Sequence, residues 1–298
     1  MPENAPDLHA YIDRASLESL LTTARDEDLG TAGVDVTSQL CVPPDLRQRG
    51  AIVARAPGVL AGGALLAKLV ELYNPSLTLT LVKQDGERLE GDDVIARLAG
   101  PARSMLAVER VALNFLGHLS GIATLTKRYV QAVDGTPACI LDTRKTLPGL
   151  RGLEKYAVAC GGGATHRMGL YDAVLIKDNH LAHMPVERIG AELAGIIENA
   201  RRFDPPPAFV EVEVDTLDQL QQVLQLNVDI VLLDNMSLAD LRRAVTLRDD
   251  TNPSVKLEAS GGVTFEAVSG IAATGIDRIS VGALTHSAPA LDLALDFE

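Results

Sequence analysis

The sequence predicts an α/β protein in two parts: an antiparallel α+β layer, followed by a parallel sheet wrapped by helices in a barrel-like form. Three observations predict it. From about residue 137, short continuous apolar runs alternate with helix-length stretches, the pattern of parallel strands buried under helices. Each run ends in polar or glycine residues, as expected where strand ends converge on one mouth. Hydrophobic residues make up 47% of the 298 positions and aromatics only 3%, so the core is aliphatic, which suits α/β layers.

Taken in order, residues 16–27 read as a helix opened by Ser16, with Glu18 in its first turn. Residues 50–62 and 76–100 alternate apolar and polar side chains, with turns at Gly86, Gly91 and Asp92, and read as antiparallel strands. Residues 105–133 carry apolar positions at helical spacing, with a break expected near Gly121. Arg110, Asn114 and His118 fall at i, i+4 and i+8 and form a polar stripe, which fits a solvated face as readily as a functional one. The apolar runs follow at 138–141, 173–176, 209–214, 230–233, 255–260 and 278–281, with helical stretches such as 186–202 and 238–248 between them. An open doubly wound sheet would bring together only the strand ends near its switch point. Six chemically useful endings fit a TIM-like barrel better, and six strands rather than eight make it irregular.

Charge and segment patterns exclude several functions. The net charge of −13 disfavours nucleic acid and anionic membrane surfaces as partners. No apolar run reaches the roughly 18 residues of a membrane span, and "MPENAPDLHAYIDR" has neither a basic nor an apolar leader segment. Cys41, Cys139 and Cys160 are odd in number and widely spaced, which points away from disulfides or zinc and toward a cytoplasmic location. Cys160 reads as a buried thiol rather than a nucleophile.

The strand endings are Asp142-Thr143-Arg144-Lys145, Lys177-Asp178-Asn179, Glu213, Asp234-Asn235, Ser260-Gly261-Gly262 and Gly282. Between 142 and 177 there are six Lys/Arg against three Asp/Glu, a local reversal of the overall sign. Arg144, Lys145, His166, Arg167 and Lys177 therefore point to a multiply anionic ligand, with interior salt bridges to Glu154 and Asp172 as the plainer alternative. Glu213 and Asp234 suit a divalent metal on phosphate oxygens, a developing positive charge, or simple charge balance. The glycines at 261, 262 and 282 let backbone N–H groups approach a phosphate, as at the last two strands of many barrels. "CGGG" at 160–163 lacks the GK[ST] of a P-loop and reads as a turn delivering His166 and Arg167. Lys177 at a barrel strand end also fits a Schiff-base aldolase, although such an enzyme does not need four further cations.

"ERVALNFLGHLSGIAT" (109–124), the block from Asp142 to His180, "EVEVDTLDQL" (211–220), "IVLLDN" (230–235), "LEASGG" (257–262) and "ISVGALTHS" (279–287) together resemble quinolinate phosphoribosyltransferase, in the same order and from about residue 16 onward. The resemblance implies an N-terminal α+β sandwich over 1–125 and an irregular, open α/β barrel over 126–288. A tail at 289–298 is expected to pack back on the N-terminal domain. It implies synthesis of nicotinate mononucleotide from quinolinate and phosphoribosyl pyrophosphate with Mg2+, in a homodimer with shared sites. Arg144, His166 and Arg167, with Arg110 of the partner chain, would hold the quinolinate carboxylates, and Thr143 lies in the same segment. Lys145 and Lys177 would face pyrophosphate or carboxylates. Glu213 and Asp234 would hold Mg2+ and the ribose hydroxyls. Ser260, Gly261, Gly262 and Gly282 would cradle the 5′-phosphate. The chain departs from the family at Gly117-His118, where Gln-Arg is usual, and at Thr165, where Asn is usual. It also has a longer segment at 201–208 with three consecutive prolines.

Overall fold

The computed structural model describes residues 5–181 and 189–298. The start of the predicted helix at 186–202 lies outside the described residues. Its helices are α1 (Arg14–Leu29), α2 (Val36–Cys41), α3 (Gly63–Tyr73), α4 (Ala102–Ala132), α5 (Arg151–Cys160), α6 (Asp178–Leu181), α7 (Ile189–Arg201), α8 (Leu217–Val223), α9 (Leu238–Thr251), α10 (Phe265–Ala272) and α11 (Ala283–His286). Its strands are β1 (Arg47–Ala54), β2 (Gly58–Val59), β3 (Thr78–Leu81), β4 (Arg88–Leu89), β5 (Val94–Pro101), β6 (Cys139–Leu141), β7 (Val174–Ile176), β8 (Val210–Val214), β9 (Ile230–Asp234), β10 (Lys256–Ser260), β11 (Arg278–Ser280) and β12 (Leu293–Phe297). Among the described residues, no helix is long and apolar enough to cross a membrane.

Contacts divide the chain into two compact units. The first holds residues up to Lys127, Thr146–Gly162 and Ala283–Glu298; the second holds Arg128–Lys145 and Gly163–Gly282. The sequence reading ran the barrel domain continuously from 126 to 288, whereas residues 146–162 cluster with the first unit. Two contacts tie them there: Tyr156 donates to Asp85 at 2.6 Å, and a Cβ on Gly161 would stand 2.4 Å from the Ala123 carbonyl oxygen.

In the first unit, an antiparallel sheet runs β12-β1-β5-β3, with a separate β2-β4 pair. The C-terminal strand β12 pairs with β1 from Gly50↔Phe297 to Ala54↔Leu293. Helix α1 begins two residues before the predicted start. Asp13, not Ser16, is the cap, because its carboxylate accepts from Ser16 N at 2.9 Å. Helix α4 is unbroken at Gly121. That glycine serves close approach instead, since a Cβ there would sit 2.1 Å from the Pro289 carbonyl oxygen. Along α4, Arg110 and Asn114 are exposed. His118 is half-buried, with Nε2 2.9 Å from Glu154 Oε1, and Glu154 Oε2 accepts from Leu147 N at 3.1 Å. The stripe is therefore not uniformly solvated.

Helix α3 has no cap from its own Gly62. Asp85 substitutes for it, accepting from Gly63 N at 2.8 Å, from Ala64 N at 3.2 Å and from the Tyr156 hydroxyl. Asp85 is only 5% exposed. Asp85→Ala removes a helix cap worth ~1 kcal/mol and takes the carboxylate acceptor from the buried Tyr156 hydroxyl at a cost of ~1–3 kcal/mol, so a loss of about 2–4 kcal/mol is expected. Chemical denaturation checks this. A loss below that of Tyr156→Phe would show that the carboxylate does not hold the helix end.

In the second unit, the six predicted runs form one sheet in the order β6-β11-β10-β9-β8-β7, parallel throughout. The order follows the chain around from β7 to β11 and then to β6, with no reversal. A doubly wound sheet needs a reversal to make its switch point. β6 and β7 are consecutive in the chain yet occupy the two edges, so the sheet is an open barrel type. The aliphatic strand interiors, including Val231, Leu233, Leu257 and Ile279, are almost fully buried. Burial on both faces is why these strands read as continuous apolar runs.

Candidate active site

Side chains two residues apart on a strand share a face. At the carboxyl ends of β7 to β11, this places Lys177, Glu213, Asp234, Ser260 and Ser280 around one cavity of about 340 Å³. Thr143, Arg144 and Lys145 join them from the loop after β6, and His166, Arg167 and Gly261 complete the polar wall. Of the residues singled out in the sequence, Gly262, Gly282 and Arg110 do not line this cavity. Gly262 and Gly282 lie two residues beyond the ends of β10 and β11, and Arg110 belongs to α4 in the first unit.

Local hydrogen bonds set the two basic segments. Asp142 is buried at the end of β6 and accepts from His166 N at 2.9 Å. Thr143 Oγ1 accepts from Lys145 N at 2.9 Å and turns the chain after Arg144. Asp172 accepts from Met168 N at 2.6 Å and Gly169 N at 3.0 Å, closing the turn beyond Arg167. The Arg167 guanidinium donates to the Ala173 carbonyl at 3.2 Å, and the residue as a whole is 7% exposed. Burial and the Arg144 charge both push its pKa down. A cation held against burial and against a second cation is poised for an anion.

The acidic side has its own constraints. Lys177 Nζ contacts Glu213 Oε2, and Asp234 Oδ2 accepts from Asn235 Nδ2 at 2.7 Å. Asn235 adopts φ 53, folding its side chain back over the strand end. Gly261 at φ 90 fits beneath it, where a Cβ would lie 2.3 Å from Asn235 Oδ1. Ser280 Oγ donates to Ser260 Oγ at 3.0 Å, joining the ends of β10 and β11.

Sequence reasoning missed Leu175, Leu232, Glu258 and Ser280 in the wall, and Glu211 behind it. Glu211 and Glu258 are fully buried. Glu211 Oε2 lies 2.9 Å and Glu258 Oε1 3.3 Å from His166 Nε2. Neither oxygen is well aligned for a hydrogen bond, so these are ion pairs by distance. Arg278 Nε donates to Glu258 Oε2 at 2.7 Å. Burial works against charge on His166, but the two carboxylates outweigh it and push the ring up to about 9. Burial and the neighbouring Glu258 push Glu211 up. Against burial, His166 and Arg278 hold Glu258 down. Arg167 N–H lies 2.8 Å from His166 Nδ1, which favours a bare Nδ1. In this arrangement the ring proton therefore sits on Nε2, facing the two carboxylates, and a second proton on Nδ1 would turn the Arg167 contact into a clash of two donors. The available signal was charge inside the runs themselves: glutamate alternating with valine in β8, Glu258 within β10 and Arg278 within β11.

Family models match almost the whole chain: "Quinolinate phosphoribosyl transferase, N-terminal domain" over residues 35–120 and "Quinolinate phosphoribosyl transferase, C-terminal domain" over 122–296. The chain is 44% identical over 275 residues to the nicotinate-nucleotide pyrophosphorylase (carboxylating) of Mycobacterium leprae, covering 92% of this chain and 94% of that one. It is 39% identical to a probable enzyme of the same name from Bacillus subtilis, covering 96% and 94%. Among solved structures, the nicotinate-nucleotide pyrophosphorylase from Francisella tularensis matches with a TM-score of 0.87 at 35% identity, covering 99% of this chain and 100% of that one.

Proposed function

The chain belongs to the quinolinate phosphoribosyltransferase family, and from that premise we infer how its cavity works. The protein transfers a phosphoribosyl group from phosphoribosyl pyrophosphate to quinolinate and decarboxylates the product, giving nicotinate mononucleotide, pyrophosphate and CO2 for NAD biosynthesis. The observation that carries the residue assignments is the convergence of Arg144, Lys145, Arg167 and Lys177 with Glu213 and Asp234 around one cavity, where Lys177 Nζ meets Glu213 Oε2.

Quinolinate has two carboxylates. Arg144 and Arg167 pair with them, with His166 held beside Arg167 and Arg110 reaching the site from a partner chain. Lys145 and Lys177 face the pyrophosphate. The Ser260–Gly262 segment and Gly282 receive the 5′-phosphate on backbone N–H groups. The pyridine nitrogen attacks C1 of the ribose, the C1–O bond to pyrophosphate breaks, and positive charge builds on the sugar. Glu213 and Asp234 stabilise that charge. In the second stage, the bond from C2 to its carboxylate breaks. The electron pair stays on C2, stabilised by the cationic ring nitrogen, and a proton takes the place of CO2. No organic cofactor is required.

Mg2+ fits the same acidic pair. Two carboxylates at an open strand-end mouth are the oxygen donors that Mg2+ uses alongside substrate phosphates. Glu213 and Asp234 would hold it, and it would neutralise charge on the departing pyrophosphate. The protein acts in the cytoplasm as a homodimer with shared sites.

Incubating the protein with quinolinate, phosphoribosyl pyrophosphate and Mg2+ is expected to yield nicotinate mononucleotide and CO2 in equal amounts. No product above a protein-free control would reject the function. Nicotinate, which lacks the 2-carboxylate, is expected to be a poor substrate, by about 10⁴-fold in kcat/KM, because the cations built for the missing anion are left unpaired. Comparable turnover of the two acids would reject the two-carboxylate cradle.

A further inference from the structure

Two buried carboxylates have no role in the mechanism above. Glu211 and Glu258 stand two residues before Glu213 and Ser260, on the same faces of β8 and β10 and one layer beneath the mouth. They close on His166 Nε2 at 2.9 and 3.3 Å, while Arg278 of β11 neutralises Glu258 from the other side. Phe209 packs edge-on against the His166 ring, with centroids 5.4 Å apart. Above the ring, Nδ1 meets Arg167 N, and His166 N is tied to Asp142. His166 is thus clamped at both ring nitrogens and at its backbone, immediately before the guanidinium that enters the cavity.

A buried ion cluster is a poor source of stability, because desolvation consumes most of the attraction. An apolar layer would fill this position at lower cost. The cluster is therefore better explained by what it holds in place. We propose that Glu211 and Glu258 are positioning residues for the quinolinate subsite: they anchor His166 from beneath, and His166 fixes the turn that aims Arg167 at a substrate carboxylate. This rests on the reading of Arg167 as a quinolinate ligand.

His166, Glu211 and Glu258 also offer donor atoms within 4.8 Å of one another, a spacing that could suit a metal. Charge balance argues against one. The two carboxylates already face Arg278 and the Nε2–H of His166, the nitrogen a metal would need bare. A divalent cation would add positive charge to a site that also contains Arg167.

The test is steady-state kinetics on the full-length enzyme, with folding checked by thermal melting. Glu258→Gln and Glu211→Gln keep the side-chain size and remove the anchor's charge. Each is expected to raise the quinolinate KM at least about tenfold while moving the phosphoribosyl pyrophosphate KM by less than about twofold, since a misplaced ligand group affects its own subsite. Glu258→Gln combined with His166→Gln should raise the quinolinate KM by less than the product of the single effects, because both break one contact chain. A merely structural role would move both KM values together and give multiplicative effects. If Glu258→Gln fails to fold for want of a partner for Arg278, the charge-balanced pair Glu258→Gln/Arg278→Gln takes its place. Unchanged quinolinate KM in folded variants of an active enzyme would overturn the anchor alone. A wild-type protein that neither binds nor turns over quinolinate would overturn the functional reading and the anchor with it. Elemental analysis finding one firmly held transition-metal ion, lost on Glu258→Gln, would replace the anchor with a metal centre.

Discussion

Mixing an Arg110→Ala chain with an Arg144→Ala chain, each inactive alone, is expected to restore up to about half the activity per heterodimer, if the two sites act independently. Arg144 lines the cavity in the second unit. Arg110 is exposed on α4 in the first, and its side chain is expected to complete the site of a partner chain. In the heterodimer, one site then carries both lesions and the other carries none. If Arg110 serves its own chain, every site keeps one lesion and mixing restores nothing. Activity measured after subunit exchange, with heterodimers verified by mass, separates the two outcomes. Heterodimers without activity would reject the shared site.

Replacing Lys145 or Lys177 with Ala is expected to cut kcat/KM by at least ~100-fold, the scale for one charged group lost from a transition state. The fold should survive both changes. Lys145 is exposed on the loop after β6, and strand-end loops of barrels carry function more than stability. Lys177 is bound to Glu213 but keeps a side-chain exposure of 41%, so water can compensate the carboxylate left behind. Activity and melting temperature measured together decide the matter. Activity within a few-fold of wild type alongside a collapsed melting temperature would make these lysines structural. The same variants address the aldolase alternative. A Schiff-base lysine forms a covalent imine with a carbonyl substrate, so borohydride trapping of the wild-type enzyme but not of Lys177→Ala would favour the aldolase.

The parallel strands were legible because burial on both faces leaves a continuous aliphatic run, and all six runs became strands. The charged strand endings were legible for a related reason. A polar residue at the end of such a run can reach the mouth, and Lys177, Glu213, Asp234 and Ser260 all line it, whereas Asp142 stays buried and holds His166 N. Local chemistry was less readable. Ser16 resembled a helix cap, but Asp13 three residues earlier offers the stronger acceptor. Gly121 resembled a helix break, but it answers a carbonyl from Pro289, 168 positions further along the chain.

The sequence by itself determined the fold class, the strand ends and the sign of the site, because each follows from side-chain type and short-range periodicity. Only the tertiary structure decided which charges meet. Glu211, Glu258, Arg278 and His166 come from three strands and a loop, and their pairing depends on the register between neighbouring strands, as in Glu258↔Arg278. Residues 146–162 likewise make their contacts within the first unit. Side-chain periodicity says which face of a strand a residue takes. It does not say which distant residue lies opposite, because that is set by how the strands close on one another in space.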